Sequence, residues 1–477
     1  METPSSTPVT LLERFNAWIQ ESVMIKLFSI GFLILILLLP ASWISELIYE
    51  RQSRAGEALK EVSQKWSEPQ TVSGPILIIP YKKQEKIDRG KDGVEIREVV
   101  EKAFFLPEEL NINGRIDPLI LHRGIFEAPV YKSQLEINSV FKKPDFEKLN
   151  IADEMVQWKE AYLSFGITDL RGISDTLILT VDGQRLEPEP SNNIGITVLS
   201  RGESFLDKRY YPDHIVTTES TTGITTKMNW QGADDFRGDI RLAFNLKGSE
   251  RMDFVPAGKT TSVRLSGAWA DPSFDGEFIP AEREITQDGF TAEWRVLHFN
   301  RPFAQQWTNE DPNFKGSGVK LLIPVDHYQK SIRTAKYSVL VILLTFLAML
   351  MVEITQKIRI HPFQYILVGA ALIIYYTLLL SFSEHLGYNV AYLIASAATV
   401  ILISLYASSF IRQTRIVFVF SGMLTMFYGF IFVIILQQDF SLLLGSVGLF
   451  IIISAVMYLS RKINWYKGSR DAAAPMR

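Results

Sequence analysis

The chain has 477 residues, too many for one simple domain, and its net charge of −3 gives no indication of a nucleic-acid partner. It has no cysteine, which excludes disulfide bonds, thiolate zinc sites and cysteine nucleophiles. The absence of cysteine also suits an oxidising compartment such as a periplasm. Hydrophobic residues make up 47% of the sequence and are concentrated in long runs, which predicts a membrane protein.

Residues 1–24 are predicted to form a cytoplasmic tail that begins with a disordered segment. A capping box at Thr10–Glu13 starts either a short amphipathic helix on the membrane surface or a plain extension of the next helix. The apolar run Leu27–Ile44 is long enough to cross a hydrocarbon layer of ~30 Å. Acidic residues precede it and no clear cleavage site follows, so we expect an uncleaved transmembrane helix at residues 25–48.

Residues 49–336 are predicted to form a large extracytoplasmic domain, which is mostly β. A helix is expected over Arg51–Trp66, and the apolar run Gly74–Tyr81 predicts a buried strand. Alternating apolar residues predict further strands at 163–167, 177–181, 240–246 and 263–265. Asp288-Gly289 separates two strand-like runs and indicates a hairpin. We expect antiparallel, sandwich-like sheets, either as two lobes with a seam near 187–213 or as one enlarged sandwich.

Five more apolar segments predict a five-helix transmembrane bundle at residues 337–460, followed by a basic tail at 461–477. They cover about 337–355, 363–382, 390–410, 416–436 and 441–459. Lys357, Arg359, Arg412 and Arg415 lie in alternate breaks, which the positive-inside rule assigns to the cytoplasm. Both termini are then cytoplasmic and the β domain lies outside. The basic residues between 330 and 336 oppose this rule, but the alternation of the breaks leaves one consistent orientation.

Two places are candidate ligand-binding sites. The first is the irregular stretch 271–280, with Asp271, Phe274, Asp275 and Glu277. It is interpreted either as a binding loop on a rigid sheet or as a folded connector in which Phe274 and Phe278 are buried. Together with Asp253, its carboxylates could ligate a divalent cation, but they lack the alternation of a calcium loop, so no metal is predicted.

The second candidate is the pair Glu384 and His385 at the outer end of the third span. It is either a ligand or proton site or a helix-terminal pair that bonds to nearby backbone. The centres of the predicted spans lack ionisable residues, which argues against a proton-coupled pump with a carboxylate at the membrane midplane. Metalloprotease, phosphate-loop and serine-hydrolase motifs are absent from the sequence, so no catalytic residue and no cofactor is predicted.

Several stretches, in order along the chain, resemble the CreD family of cell envelope integrity inner-membrane proteins of Gram-negative bacteria. They are Gln70–Pro75, Asp271–Phe274, Phe278–Arg283, Val325–Gln329, Arg333–Tyr337, His361–Tyr365 and Ser383–His385. The likeness extends from about Ile25 to Tyr466. It implies a stress-induced protein of the inner membrane that helps to maintain the envelope and is associated with two-component regulation, colicin tolerance and an altered response to β-lactams. No catalytic residues accompany the family.

Three functional hypotheses follow. In the first, a non-enzymatic envelope protein is anchored in the lipid bilayer and binds a periplasmic protein or cell-wall component through its β domain. In the second, the helical bundle transports or flips a lipid or small molecule and the β domain acts as a lid. The third, an envelope hydrolase or transferase, has the least support. The sequence predicts no oligomeric state.

Overall fold

The structure is a computed structural model that describes residues 23–88, 94–203, 215–308, 312, 314–321, 326–356, 358–437 and 440–461. The predicted amphipathic helix after Thr10, part of the predicted seam at 187–213 and most of the basic tail lie outside these residues. Contacts divide the chain into two compact units. The first comprises Met1–Gln52 with Val325–Arg477, and the second comprises Ser53–Pro324.

Seven α-helices occur in the described residues. They are α1 (Val23–Trp66), α2 (Asp326–Lys336), α3 (Ser338–Gln356), α4 (Pro362–Leu386), α5 (Tyr388–Ser408), α6 (Thr414–Leu436) and α7 (Ser441–Ser460). Helices α1, α3, α4, α5 and α6 are long and apolar enough to span a membrane. In α7 the apolar stretch within the described residues is the shorter Leu443–Ser454. The predicted class, a membrane helical bundle with one helix before a β-rich domain and the rest after it, is confirmed.

Helix α1 is one continuous helix of 44 residues, and it joins the predicted span and the predicted helix after it. One stripe of α1 is buried, at Ile30, Leu37, Ala41, Ile44 and Ile48. The opposite side exposes large apolar side chains, at Phe28, Phe32, Leu35, Leu39 and Trp43. This division is expected of a helix that packs on a bundle along one side and faces lipid along the other. Leu37 lies so close to Gly369 of α4 that a side chain at position 369 would displace it.

Helix α2 is not among the predicted elements, because residues 326–336 fall at the end of the β-rich domain predicted for 49–336. Tyr328, Ser331, Thr334 and Ala335 are buried, and this spacing of three or four residues marks one side of a helix. Helix α2 contacts α3, α4, α5 and α6. These eleven residues therefore belong to the helical unit.

The second unit contains twenty strands in its described residues. They are β1 (Gln70–Asp88), β2 (Val94–Phe105), β3 (Glu109–Arg123), β4 (Phe126–Val140), β5 (Tyr162–Ile167), β6 (Ile178–Val181), β7 (Gln184–Leu186), β8 (Glu189–Ser191), β9 (Val198–Glu203), β10 (Ile215–Ser220), β11 (Gly223–Lys227), β12 (Asp239–Ser249), β13 (Arg251–Phe254), β14 (Thr260–Gly267), β15 (Pro272–Gly276), β16 (Glu282–Ile285), β17 (Phe290–Leu297), β18 (Gln306–Thr308), β19 (Phe314–Lys315) and β20 (Ser317–Leu321). Short 3₁₀ helices lie at Glu147–Leu149, Asp153–Met155, Trp158–Glu160, Leu170–Gly172, Ala233–Asp235 and His298–Asn300.

These strands form two large sheets and one small one. The eight-stranded sheet has the order β16-β17-β14-β3-β4-β12-β6-β7. The nine-stranded sheet has the order β15-β20-β13-β1-β5-β11-β8, and β2 and β18 extend it from β1. Strands β10, β9 and β19 form the third sheet. Buried side chains from both large sheets belong to one hydrophobic core, which makes the domain sandwich-like.

Most of the strand pairs are antiparallel, as predicted, and the hairpin at Asp288-Gly289 pairs β16 with β17 through Ile285 and Phe290. Strands β1 and β13, β3 and β14, and β9 and β19 are parallel pairs. In β13, Met252 lies between Gln70 at the start of β1 and Val319 in the middle of β20. The first and last strands of the nine-stranded sheet along the chain are therefore neighbours of the same short strand.

The end of α1 is held within the β unit by a buried carboxylate. Asp169 accepts hydrogen bonds from the hydroxyl of Ser67 (3.1 Å), the amide of Glu68 (2.9 Å) and the guanidinium of Arg171 (2.8 Å). Arg171 also donates to the carbonyl of Gln64 in the last turn of α1, at 2.6 Å. The last carbonyl groups of a helix have no partner within the helix and need such donors. A cation at this end also interacts favourably with the helix dipole.

Candidate functional site

The stretch 271–280 is not a loop throughout, because Pro272–Gly276 forms β15 at the edge of the nine-stranded sheet. Proline is tolerated here as the first residue of an edge strand. The ring of Phe274 packs edge-on against Phe290 and Trp294, with centroids 5.8 and 5.7 Å apart. The side chain of Phe278 packs partly buried against the core. This arrangement favours the predicted folded connector over the binding loop.

The carboxylates of this stretch are divided among different partners. Arg251 contacts Asp275 through Nη2 at 2.9 Å and Asp253 through Nε at 2.7 Å. Burial opposes the charge of Arg251, but the two carboxylates outweigh it and raise the pKa of the guanidinium above its ordinary value. Glu277 lies 3.5 Å from Lys315, and Asp271 is exposed. Within the part of the chain that the structure describes, no group of three or more acidic or histidine side chains could hold a metal.

Glu384, near the C-terminus of α4, is the centre of a polar cluster in the helical unit. Its Oε1 accepts a hydrogen bond from the hydroxyl of Tyr328 at 3.0 Å and lies 3.7 Å from Nε of Arg51. Next to this contact, the hydroxyls of Thr334 and Tyr388 share a hydrogen bond of 2.6 Å. Helix α2 therefore fixes the Glu384 end of the bundle through Tyr328 and Thr334.

His385 does not share the surroundings of Glu384. Its side chain is exposed, whereas the side chain of Glu384 is 7% exposed and faces the cluster. Consecutive helical residues point about 100° apart, which explains why the two do not meet. The structure thus pairs Glu384 with Tyr328 and Arg51, which sequence patterns do not reveal because both are distant from Glu384 along the chain.

A second polar cluster, not predicted from the sequence, surrounds Glu353 near the C-terminus of α3. Its Oε1 contacts Nζ of Lys26 in α1 at 2.5 Å, and its Oε2 accepts from the hydroxyl of Tyr365 in α4 at 3.1 Å. The amide of Ile360 also donates to it, at 3.4 Å. Three parts of the helical unit therefore meet at one buried carboxylate, as is usual for an ionisable residue within a membrane bundle.

The outer face of the eight-stranded sheet carries two rows of mainly polar side chains across β14, β3, β4 and β12. The first row contains Arg264, Asn113, Glu136 and Ala243. The second row contains Ser266, Arg115, Gln134 and Asn245. The alternation of β3, in which every second residue is buried, places Asn113 and Arg115 outward. We call these eight residues the polar face.

The polar face borders an open groove of about 470 Å³. Several of its charged groups already have partners: Arg264 pairs with Glu293, Arg115 with Asp117, and Glu136 accepts from Asn138. Asn113 and Gln134 line the groove, and both residues are exposed. Each amide can donate and accept hydrogen bonds at once, so the groove suits a ligand that carries amide groups.

Helices that can span a membrane, together with a large sheet domain between the first helix and the rest, define the class of a multi-pass membrane protein with an extramembrane β domain. A family model described as "Inner membrane protein CreD" matches residues 22–466. The chain is 29% identical over 445 residues to "Inner membrane protein CreD" of Escherichia coli (strain K12), an alignment that covers 92% of this chain and 93% of that protein. The chain belongs to the CreD family of inner membrane proteins.

Proposed function

We propose that this protein helps to maintain the cell envelope under stress and binds a polar envelope component through the polar face of its β domain. The helices anchor it in the inner membrane, and the β domain lies in the periplasm with both termini in the cytoplasm. The orientation is supported by Lys357, Arg359, Arg412 and Arg415, whose positions satisfy the positive-inside rule. The proposal is non-enzymatic, in keeping with the absence of recognised catalytic motifs from the sequence.

The amides of Asn113 and Gln134 in the groove are the observation that carries this proposal. Cross-strand neighbours lie about 5 Å apart, so hydrogen-bonding side chains recur at regular spacing over three strands in the first row and over four strands in the second. Peptidoglycan carries acetamido and peptide amide groups along its length, and these are complementary to side-chain amides. It is therefore the envelope component that the polar face fits best.

The test is co-sedimentation of the full-length protein, purified in detergent, with insoluble peptidoglycan. The double variant Asn113→Ala/Gln134→Ala should bind at least tenfold more weakly, because it removes both side-chain amides of the groove. Gln84 and Gln184 are exposed amides on strands outside the groove, so Gln84→Ala/Gln184→Ala is a matched control and should bind normally. If the folded wild-type protein does not sediment with peptidoglycan, this assignment of the ligand is wrong.

A second candidate function is transport or flipping of a lipid or small molecule by the helical bundle. It is favoured by polar groups inside the bundle, among them the buried cluster at Glu384. A polar substrate that crosses a membrane needs protein groups that replace its hydration shell. Polar side chains inside the apolar layer cost free energy, so their presence in a bundle indicates a function. Failure of the sedimentation experiment, together with movement of a labelled lipid by reconstituted protein, would favour this function over the first.

A further inference from the structure

Helix α2 has two chemically different sides. Its buried side chains are at most 6% exposed and belong to Tyr328, Ser331, Thr334 and Ala335. At 100° per residue, these four positions fall within one arc of about 120° around the helix. The opposite arc, of similar width, contains the three basic residues of the helix, Lys330, Arg333 and Lys336. One side of α2 therefore packs on the bundle, and the other carries positive charge.

The three basic residues form a row, because helical residues three positions apart are neighbours on the surface. Lys336 is exposed, whereas Lys330 and Arg333 are half-buried. The ammonium group of Lys330 lies 5.9 Å from the ring centroid of Tyr388, at the start of α5. Long basic side chains commonly pack their stems along a protein in this way while the charged ends reach polar surroundings. We call Lys330, Arg333 and Lys336 the basic row.

The depth of the basic row in the membrane follows from the next helix. Only Tyr337 separates α2 from α3, which has 19 residues and is therefore about 28 Å long. This length matches a hydrocarbon layer of ~30 Å, so Ser338 lies near one boundary of that layer. Helix α2 contacts α3, α4, α5 and α6, and its hydrogen bonds reach the end of α4 and the start of α5. It thus lies across the end of the bundle, at the level of the lipid headgroups.

The charge at this level is complementary to lipid phosphate. The only acidic residue of α2 is Asp326, at its first position. Glu384, which also lies at this end, is 7% exposed and close to Arg51, so it does not neutralise the basic row. In the orientation proposed above, this end faces the periplasm, where basic residues beside a span oppose the positive-inside rule. An anionic lipid at the same level offsets this cost.

Helix α3 supplies an apolar surface directly after the basic row. Val339 and Leu343 lie three and seven residues after Lys336, and they are 44% and 43% exposed. Both lie on one side of α3, because residues four positions apart share a helix side. A phospholipid needs both surfaces, since its phosphate is charged and its acyl chains are apolar. A soluble phosphate would use only the basic row.

We propose that the basic row of α2 binds an anionic phospholipid, with the phosphate at Arg333 and Lys336 and the acyl chains along Val339 and Leu343. Phosphatidylglycerol has the required chemistry. The guanidinium of Arg333 can bind phosphate oxygens in pairs, and the ammonium of Lys336 contributes as a point charge. This lipid site lies in the helical unit and is independent of peptidoglycan binding by the β domain.

Fluorescence quenching by labelled lipid tests the proposal in the full-length protein. Because the chain has no cysteine, Gln329→Cys provides a unique attachment site, and Gln329 is exposed on α2. The protein, with a fluorophore at this position, is placed in phosphatidylcholine nanodiscs that contain a small share of nitroxide-labelled phosphatidylglycerol or nitroxide-labelled phosphatidylcholine. Each basic residue near a membrane surface strengthens the binding of anionic lipid about fivefold, so labelled phosphatidylglycerol should quench at least fivefold more strongly. Equal quenching by the two lipids, or quenching by neither, would overturn the proposal.

Variants of the same labelled protein locate the site. Arg333→Gln/Lys336→Gln should abolish the preference for phosphatidylglycerol, whereas the charge-preserving Arg333→Lys/Lys336→Arg should keep it. Lys142→Gln/Lys143→Gln removes two exposed positive charges from the β unit and should also keep the preference. A preference that survives Arg333→Gln/Lys336→Gln, or that is lost in the Lys142→Gln/Lys143→Gln control, would show that the basic row is not the site.

Inorganic phosphate distinguishes a lipid site from a site for a soluble anion. When phosphate replaces chloride at equal ionic strength, the preference for phosphatidylglycerol should stay the same, because free phosphate makes no use of Val339 and Leu343. Loss of the preference under these conditions would show that the basic row takes a soluble phosphate, which contradicts the proposal.

Discussion

At the scale of single residues, the contacts that matter most join positions far apart along the chain. Lys26 forms an ion pair with Glu353, and Arg51 forms one with Glu384. Asp169 accepts a hydrogen bond from the backbone amide of Glu68. Local periodicity identifies the side of a helix or strand on which a residue lies, but it contains no information about such partners. For this reason Glu384 could be predicted as a candidate from sequence, whereas its contact with Tyr328 could not.

Asp169 gives a residue-scale prediction with a defined pH dependence. Burial disfavours its ionised form, but hydrogen bonds from Arg171 and from the Glu68 amide outweigh burial and hold the pKa of the carboxyl below its ordinary value. Asp169→Asn should lower the free energy of unfolding by about 1–3 kcal/mol at pH 7, because buried donors lose a charged acceptor. Denaturation of the full-length protein in detergent measures this difference.

The sign of the pH effect follows from the lowered pKa. The stabilisation is complete above the unfolded pKa of about 3.9 and is lost as the pH falls through the lower folded value. The difference between wild type and Asp169→Asn should therefore shrink in acid. Asp239 pairs with Arg241 at the same spacing, but its side chain is about half exposed, so Asp239→Asn should change stability little at any pH. A deficit of Asp169→Asn that persists unchanged at pH 3 would contradict this account.

At the scale of elements, apolar segments and alternating strands were predictable because their signals are local. Strand β12 follows the alternation at Ile240–Leu246, and the breaks between helices follow the charged segments. Helix α2 was missed because its polar residues resemble a loop, and only the burial of Tyr328, Ser331 and Ala335 shows its packed side. The strand order could not be predicted, since pairs such as β1 and β13 join residues about 180 positions apart.

The packing of α7 gives an element-scale prediction. Gly448 lies against the ring of Phe430 in α6, and a side chain at position 448 would overlap that ring. Gly448→Leu should destabilise the contact between α6 and α7 by about 1–3 kcal/mol, as overpacking commonly does. The melting temperature in detergent and the amount of protein in the membrane would both fall.

The same helix contains a matched control. No atom within 4 Å would meet a Cβ at Gly445, so Gly445→Leu should keep the wild-type melting temperature and abundance. Equal behaviour of the two variants would show that Gly448 is not a close-packing position.

At the scale of the whole molecule, the orientation in the membrane is the main property to measure. A reporter that is active only in the periplasm should be active when fused near Asp182 and inactive when fused near Arg412. The physical reason is the attraction of Arg412, Arg415, Lys357 and Arg359 to the cytoplasmic side. A cytoplasmic reporter fused at the same sites serves as the control and should give the reverse pattern. Activity of the periplasmic reporter near Arg412 alone would invert the proposed topology.

The position of β13 between β1 and β20 has a consequence for the folding of the β domain. Gln70 and Val319 flank Met252, and adjacent strands lie about 4.8 Å apart, so the chain enters and leaves the nine-stranded sheet within about 10 Å. About 180 residues separate β1 from β13, so during synthesis β1 emerges long before its partner strand. Because pairing between distant segments is slow, we expect this sheet to be completed late in folding. Because the first and last strands of this sheet lie so close together, a short linker from Leu321 to Gln70 would suffice for a circular permutation of the β domain.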